Sequence, residues 1–244
     1  MIIQKIMNRS GGIMKNNKVL YIIIGLCVLL VVGLCVFLVV NHKEEVLTDA
    51  IRFKNDFEQY NGLTYEDTND PVIDVLIPAD NPYVYKTGKE IVDILNNETA
   101  YVLFGYSSCP LTRAMIEVLS EVALEENVDT IYYLDIKDIR DEYQANGNVM
   151  AEKIKDGTTA YYDILEFFGS NLERYYVPDE SGMFLYDTLT TRLKSPTFVA
   201  VRDGKVVLMH EELVESYDYS NRSLTEEEKS ELKEIYREII KAIK

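Results

Sequence analysis

Apolar and polar positions along this chain fall into runs of different period. The first run is continuous: Val19 to Val40 holds 22 residues without a charge or a strongly polar side chain. As a helix it would extend about 33 Å, the thickness of a bilayer's hydrocarbon core. It ends in Phe37-Leu-Val-Val40-Asn-His-Lys with no Ala-x-Ala-like cleavage site, so residues 19–40 are expected to be a retained transmembrane anchor. Residues 41–70 are mixed and charged and read as a juxtamembrane stalk that packs on the body. Within it, Leu47 to Tyr60 predicts a short helix broken at Asn61-Gly62.

Residues 71–244 carry an α/β pattern. Pro71 to Pro78 and Tyr83 to Tyr85 are strand-like, and Thr87 to Asn96 predicts a helix with Ile91, Val92 and Leu95 on one face. Tyr101 to Phe104 reads as a buried strand. A helix from Cys109 to about Glu126 aligns Met115, Leu119 and Val122, and Thr130 to Ile136 follows as a parallel strand, completing a βαβ unit. Phe198–Val201 and Val206–Met209 flank Asp203-Gly204, a two-residue hairpin signal. The last helix opens with the capping box Thr225-x-x-Glu228. Its apolar face is Leu232, Ile235, Tyr236, Ile239, Ile240 and Ile243.

Between these, residues from about 137 to 194 predict an insertion with a helix over Asp163–Leu172 and a hairpin over Tyr175–Tyr186. Aromatic residues recur in it, Tyr161, Tyr162, Phe167, Phe168, Tyr175 and Tyr176 among them. They read as a small satellite core on the sheet edge, with a substrate-facing wall as the other reading.

Charge narrows the function classes. The net charge is −16, and residues 1–40 contribute +4 to it through Lys5, Arg9, Lys15 and Lys18, which leaves −20 on residues 41–244. A body that acidic repels phosphate backbones, which excludes nucleic acid as the expected partner. Lys43, Arg52 and Lys54 follow the apolar run closely, so the basic bias is slight. It favours residues 1–18 as a cytoplasmic tail and the body as extracytoplasmic, on a single-pass cell-membrane protein. Gly11-Gly12-Ile13-Met14 would be encoded by a purine-rich stretch just ahead of an ATG, as at a bacterial ribosome-binding site. Met14 is therefore a candidate start, with residues 1–13 then untranslated.

Of the three cysteines, Cys27 and Cys35 lie in the apolar run and Cys109 is the only thiol of the body. No disulfide within the body can support the fold. Cys109 stands where the strand Tyr101-Val-Leu-Phe-Gly-Tyr-Ser-Ser runs into the helix Pro110-Leu-Thr112. There the unpaired N–H groups and positive dipole end of a helix stabilise a thiolate. Arg113 is the only basic residue beside it, with a side chain free to point away. A Cys–His hydrolase would have to draw on His42 or His210, and no spacing brings either to Cys109. Two histidines with one body cysteine are too few for a zinc site, and nothing implies another metal or a cofactor.

The element order, the cysteine at a helix start and the later Ser195-Pro196-Thr197-Phe-Val-Ala-Val-Arg-Asp203-Gly204 resemble the thioredoxin-like superfamily. The resemblance runs over about residues 72–244. It is closest to the membrane-anchored Gram-positive type that includes bacteriocin transport accessory proteins, which share Phe-Gly-x-x-x-Cys-Pro (Phe104, Gly105, Cys109, Pro110) and Pro-Thr-x-Val-x-Val-x-Asp-Gly. The resemblance implies a thioredoxin-like fold with a helical and hairpin insertion before a cis-proline strand. It also implies that Cys109 is the attacking thiol, that Thr112 replaces the resolving cysteine and could hydrogen-bond the thiolate, and that Pro110, Ser195, cis Pro196 and Thr197 face an extended substrate. Two functions follow: monothiol thiol–disulfide exchange with a protein or low-molecular-weight thiol, or a redox-inactive accessory domain holding a polypeptide at the membrane.

Overall fold

The structure, a computed structural model, describes residues 20–33, 47–66, 68–147, 151–179, 181–219 and 221–244. The chain divides into two units, Met1–Val46 and Leu47–Lys244. In the first, residues 20–33 form helix α1 with its side chains exposed. Both ends of the apolar run, the tail with Met14, and Cys35 lie outside the described residues. Among the described residues, no helix is long and apolar enough to cross a membrane.

The second unit opens with α2 (Asp49–Glu58), followed by β1 (Tyr83–Tyr85), α3 (Gly88–Asn97), β2 (Ala100–Gly105), α4 (Pro110–Glu125) and β3 (Ile131–Asp135). The insertion follows as β4 (Glu142–Ala145), β5 (Ala151–Lys155), α5 (Thr159–Phe168), a 3-10 turn at Gly169–Asn171, β6 (Arg174–Pro178) and β7 (Leu185–Thr191). The chain closes with β8 (Thr197–Arg202), β9 (Lys205–Glu211) and α6 (Glu226–Lys241). Five strands form one mixed sheet in the order β1-β3-β2-β8-β9. β1, β3 and β2 run parallel, and β8 and β9 are antiparallel to their neighbours. The architecture is α/β, and β2–α4–β3 is the expected βαβ unit.

Each face of the sheet buries its own apolar layer. One gathers Phe53 and Phe57 of α2, Met115, Leu119 and Val122 of α4, and Leu232, Tyr236 and Ile240 of α6. The other gathers Ile91 and Leu95 of α3 with Tyr161, Ile164 and Phe168 of α5. From Leu47 onward the predicted stalk packs on the body. Phe53 is fully buried, stacked on Tyr83 at 4.0 Å and on Phe57 at 4.5 Å, with Tyr133 edge-on at 4.9 Å. Rings at these separations add about 0.5–1.5 kcal/mol each beyond their burial.

Residues 71–78 differ from expectation. Ile73, Val75 and Ile77 are buried and Leu76 is 75 % exposed, the alternation of a half-buried strand, yet the segment lies outside the sheet. Side chains supply the bonds that a neighbouring strand would. Asn61 pairs with both the N–H (3.0 Å) and the carbonyl (2.7 Å) of Val75. Glu58 accepts from the Ile77 N–H, Lys54 donates to the Ile77 carbonyl, and Glu117 accepts from the Leu76 N–H. Buried backbone groups need partners, and here α2, the turn after it and α4 provide them.

The β8–β9 hairpin turns as its dipeptide predicts, with Asp203 at φ 50° and Gly204 at φ 73°. A Cβ on Gly204 would meet the Asn96 carbonyl oxygen at 2.9 Å, so glycine is required for space as well as for backbone angle. The capping box of α6 is present, with Thr225 accepting from the Glu228 N–H and Glu228 accepting from the Thr225 N–H.

Candidate functional site

Cys109 is the N-cap of α4 and Pro110 is at its first turn, where a missing N–H costs nothing. No side chain caps this helix, so its first N–H groups are left toward the cysteine. The Cys109 N–H closes a turn on the Tyr106 carbonyl at 3.0 Å, which fixes the end of β2 against the start of α4. The residue is only 4 % exposed.

The structure brings the loop before β8 onto this helix start. The Ser195–Pro196 bond is cis, and the Cys109 thiol donates to the Ser195 carbonyl at 3.5 Å. Thr112, fully buried, pairs its hydroxyl with the Ser195 hydroxyl at 3.1 Å. A Cβ on Gly105 would stand 3.0 Å from Thr112, so a glycine at the end of β2 gives Thr112 its seat. Thr197 is also fully buried. Its hydroxyl donates to the Lys194 carbonyl at 2.9 Å and holds the loop from inside.

Arg113 points away from the thiol into the protein. It is 1 % exposed and donates to the carbonyls of Ile73 (2.7 Å), Phe57 (2.7 Å) and Ser107 (2.9 Å) and to Asn61 Oδ1 (2.7 Å). It clamps residues 71–78 and α2 to the loop before Cys109. His210 packs edge-on to Tyr236 at 6.3 Å, and burial holds its imidazole below the usual histidine range. It is not among the residues lining the cleft at Cys109.

That cleft has a volume of about 560 Å³, within the range of small-ligand sites. One wall is Tyr106, Cys109, Pro110 and Ser195. The opposite wall comes from the insertion: Arg140, Tyr175 and Tyr176, Leu185, Arg192 and Lys194. The aromatic residues of the insertion thus divide, with Tyr161 and Phe168 in the core and Tyr175 and Tyr176 on the cleft. Burial first, then the neighbouring Cys109, raises the Tyr106 phenol above its usual pKa, while Arg140 acts in the opposite sense. Tyr106 is therefore protonated, and it lines the cleft together with Cys109.

Tyr106, Arg140 and Arg192 are site residues that sequence reasoning passed over. For the two arginines the only signal available was the presence of arginines in an insertion of an otherwise acidic body. Among the described residues no group of three or more His, Cys, Asp or Glu side chains is placed to hold a metal ion. Comparison with protein-family models and with curated proteins returns no match for this chain.

Proposed function

We propose that residues 71–244 are a thioredoxin-like domain in which Cys109 performs monothiol thiol–disulfide exchange. In this reading residues 19–40 anchor the chain in the membrane and the domain faces outward. The observation that carries it is the meeting of Cys109 and Ser195: a thiol at an uncapped helix start, 3.5 Å from the carbonyl that precedes a cis proline. The strand order β1-β3-β2-β8-β9 supports the fold assignment.

The chemistry is a displacement. The Cys109 thiolate attacks one sulfur of a partner disulfide, a new S–S bond forms, and the other partner sulfur leaves as a thiolate. Thr112 carries no sulfur, so the mixed disulfide persists until an external thiol attacks it. Tyr106 and the helix N–H groups are the donors at hand for the attacking thiolate, because the Ser195 carbonyl accepts only from the protonated form.

The low exposure of Cys109 favours one second reading, a redox-inactive accessory domain that uses the same cleft to hold a polypeptide. The pH dependence of Cys109 alkylation separates the two. A midpoint well below about 8.5, the value of a free thiol, is expected for the exchanger. A midpoint at or above that value overturns exchange in favour of the accessory domain.

A further inference from the structure

The residues lining the cleft invert the charge of the body. Arg140, Arg174, Arg192 and Lys194 stand there against only Glu173 and Glu212, in a chain of net charge −16. Two of the four cations are neutralised in place. Arg174 makes a two-oxygen contact with Asp187 at 2.8 and 3.1 Å. Lys194 bonds Glu173 at 3.0 Å and Glu212 at 3.2 Å, and these carboxylates push its pKa up to about 12 against the effect of burial.

Of the other two, Arg192 stands in ion-pair range of the buried Asp141 carboxylate. Arg140 has no carboxylate within ion-pair range among the described residues, and its polar contact is the Tyr106 hydroxyl at 3.4 Å. Arg192 is 9 % exposed and lies over the Tyr175 ring at 4.3 Å. Its Nη2 donates to the Asp141 carbonyl at 3.0 Å. Its Nη1 is a buried atom without a hydrogen bond, paired with the Asp141 carboxylate at 3.8 Å. Arg140 and Cys109 line the same cleft, and Arg140 donates to the hydroxyl of Tyr106, whose backbone carbonyl accepts from the Cys109 N–H.

We propose that the insertion makes this cleft an anion-reading site: the disulfide or thiol that meets Cys109 carries a carboxylate, which Arg140 receives. Guanidinium groups accept a planar carboxylate in fork geometry. The chemistry is shared by a small acidic thiol and by an acidic side chain beside a cysteine in a peptide. The proposal rests on the exchange reading for its reaction and on the cation geometry for its selectivity.

The test compares two disulfides of one shape, dithiodipropionate with two carboxylates and its neutral diamide. Both are applied to the full chain in mild detergent, with mixed disulfide measured by mass on the Cys109 peptide. In each case Cys109 bonds one half of the reagent and the other half leaves as a thiolate. The ratio of dianion rate to diamide rate should exceed that of a free cysteine derivative by about threefold or more, and fall with added salt. Arg140→Gln should bring the ratio down and Arg140→Lys should restore part of it. An unchanged ratio in Arg140→Gln, or a ratio equal to that of the free thiol, overturns anion reading. A small acidic thiol as the source would compete with the dianion at the concentration at which an acidic cysteine peptide does not, and the reverse order would assign the peptide.

If Cys109 reacts with neither reagent, it is the exchange reading that fails. Equilibrium binding of the two reagents to the Cys109→Ser chain then decides the subsite. Preference for the dianion supports it, and equal binding overturns it.

Discussion

The hydroxyl of Thr112 is 3.1 Å from the hydroxyl of Ser195, while the thiol of Cys109 reaches the carbonyl of the same serine. Two side chains three residues apart on α4 thus converge on the residue before the cis proline, as same-face helix positions do. Thr112→Cys should therefore place a second sulfur beside the first. Under mild oxidant this variant is expected to lose two titratable thiols per chain relative to its reduced form and to remain monomeric. Persistence of both thiols would show that the side chains do not converge.

Arg113 gives a stability prediction. Four acceptors depend on its guanidinium, and removing a buried charged donor strands its partners. Arg113→Met should cost about 3–5 kcal/mol by chemical denaturation. Arg113→Lys should recover little of that, since an ammonium cannot present the same planar fork.

Gly204 is tested by one methyl group. With φ at 73° and the Asn96 carbonyl 2.9 Å from an added Cβ, Gly204→Ala is strained in the turn and crowded against α3. A loss of about 1–3 kcal/mol is expected, together with a lower thermal midpoint. An unchanged midpoint would mean that the turn relaxes freely.

The acid limb of stability should carry the signature of Glu228. The Arg222 guanidinium, followed by the Thr225 N–H, pulls its carboxyl from 4.5 down to about 2. A depressed carboxylate stabilises the fold fully above its unfolded pKa, and the contribution is lost as pH falls through the folded value. Denaturation midpoints of the parent chain and of Glu228→Gln should therefore differ at neutral pH and converge between pH 4.5 and about 2. A constant gap across that window would contradict the pairing.

Local chemistry made much of this fold legible. The α6 capping box, the Asp203-Gly204 turn and the βαβ unit around Cys109 depend on neighbours in sequence, and each is where the pattern puts it. The insertion helix is displaced from the expected Asp163–Leu172: it begins at Thr159 under a Thr158 cap and ends at Phe168, with Gly169 as its C-cap and only a 3-10 turn reaching Asn171. The β4–β5 hairpin escaped notice because charged residues such as Glu142, Lys153 and Lys155 leave no apolar alternation to read. Residues 71–78 looked like a strand because alternation reports a half-buried extended segment, whatever satisfies its backbone. Of the candidate site, Cys109, Thr112, Ser195 and Pro196 could be named from motif. Arg140 and Arg192 could not, because nothing in sequence says which cations of an acidic chain line the cleft or which one lacks a carboxylate.

The manner in which residues 71–78 are held has a consequence for where this protein can be cut. Their bonds come from Lys54, Glu58 and Asn61 on one side and from Glu117 and Arg113 on the other. A fragment trimmed to the five-stranded sheet, beginning near Tyr83, would strip the Arg113 guanidinium of three of its four acceptors. A fragment that keeps these bonds has to include α2 with its Thr48 cap, and a protease that nicks the chain between α2 and β1 would loosen the segment that braces the start of α4 beneath Cys109.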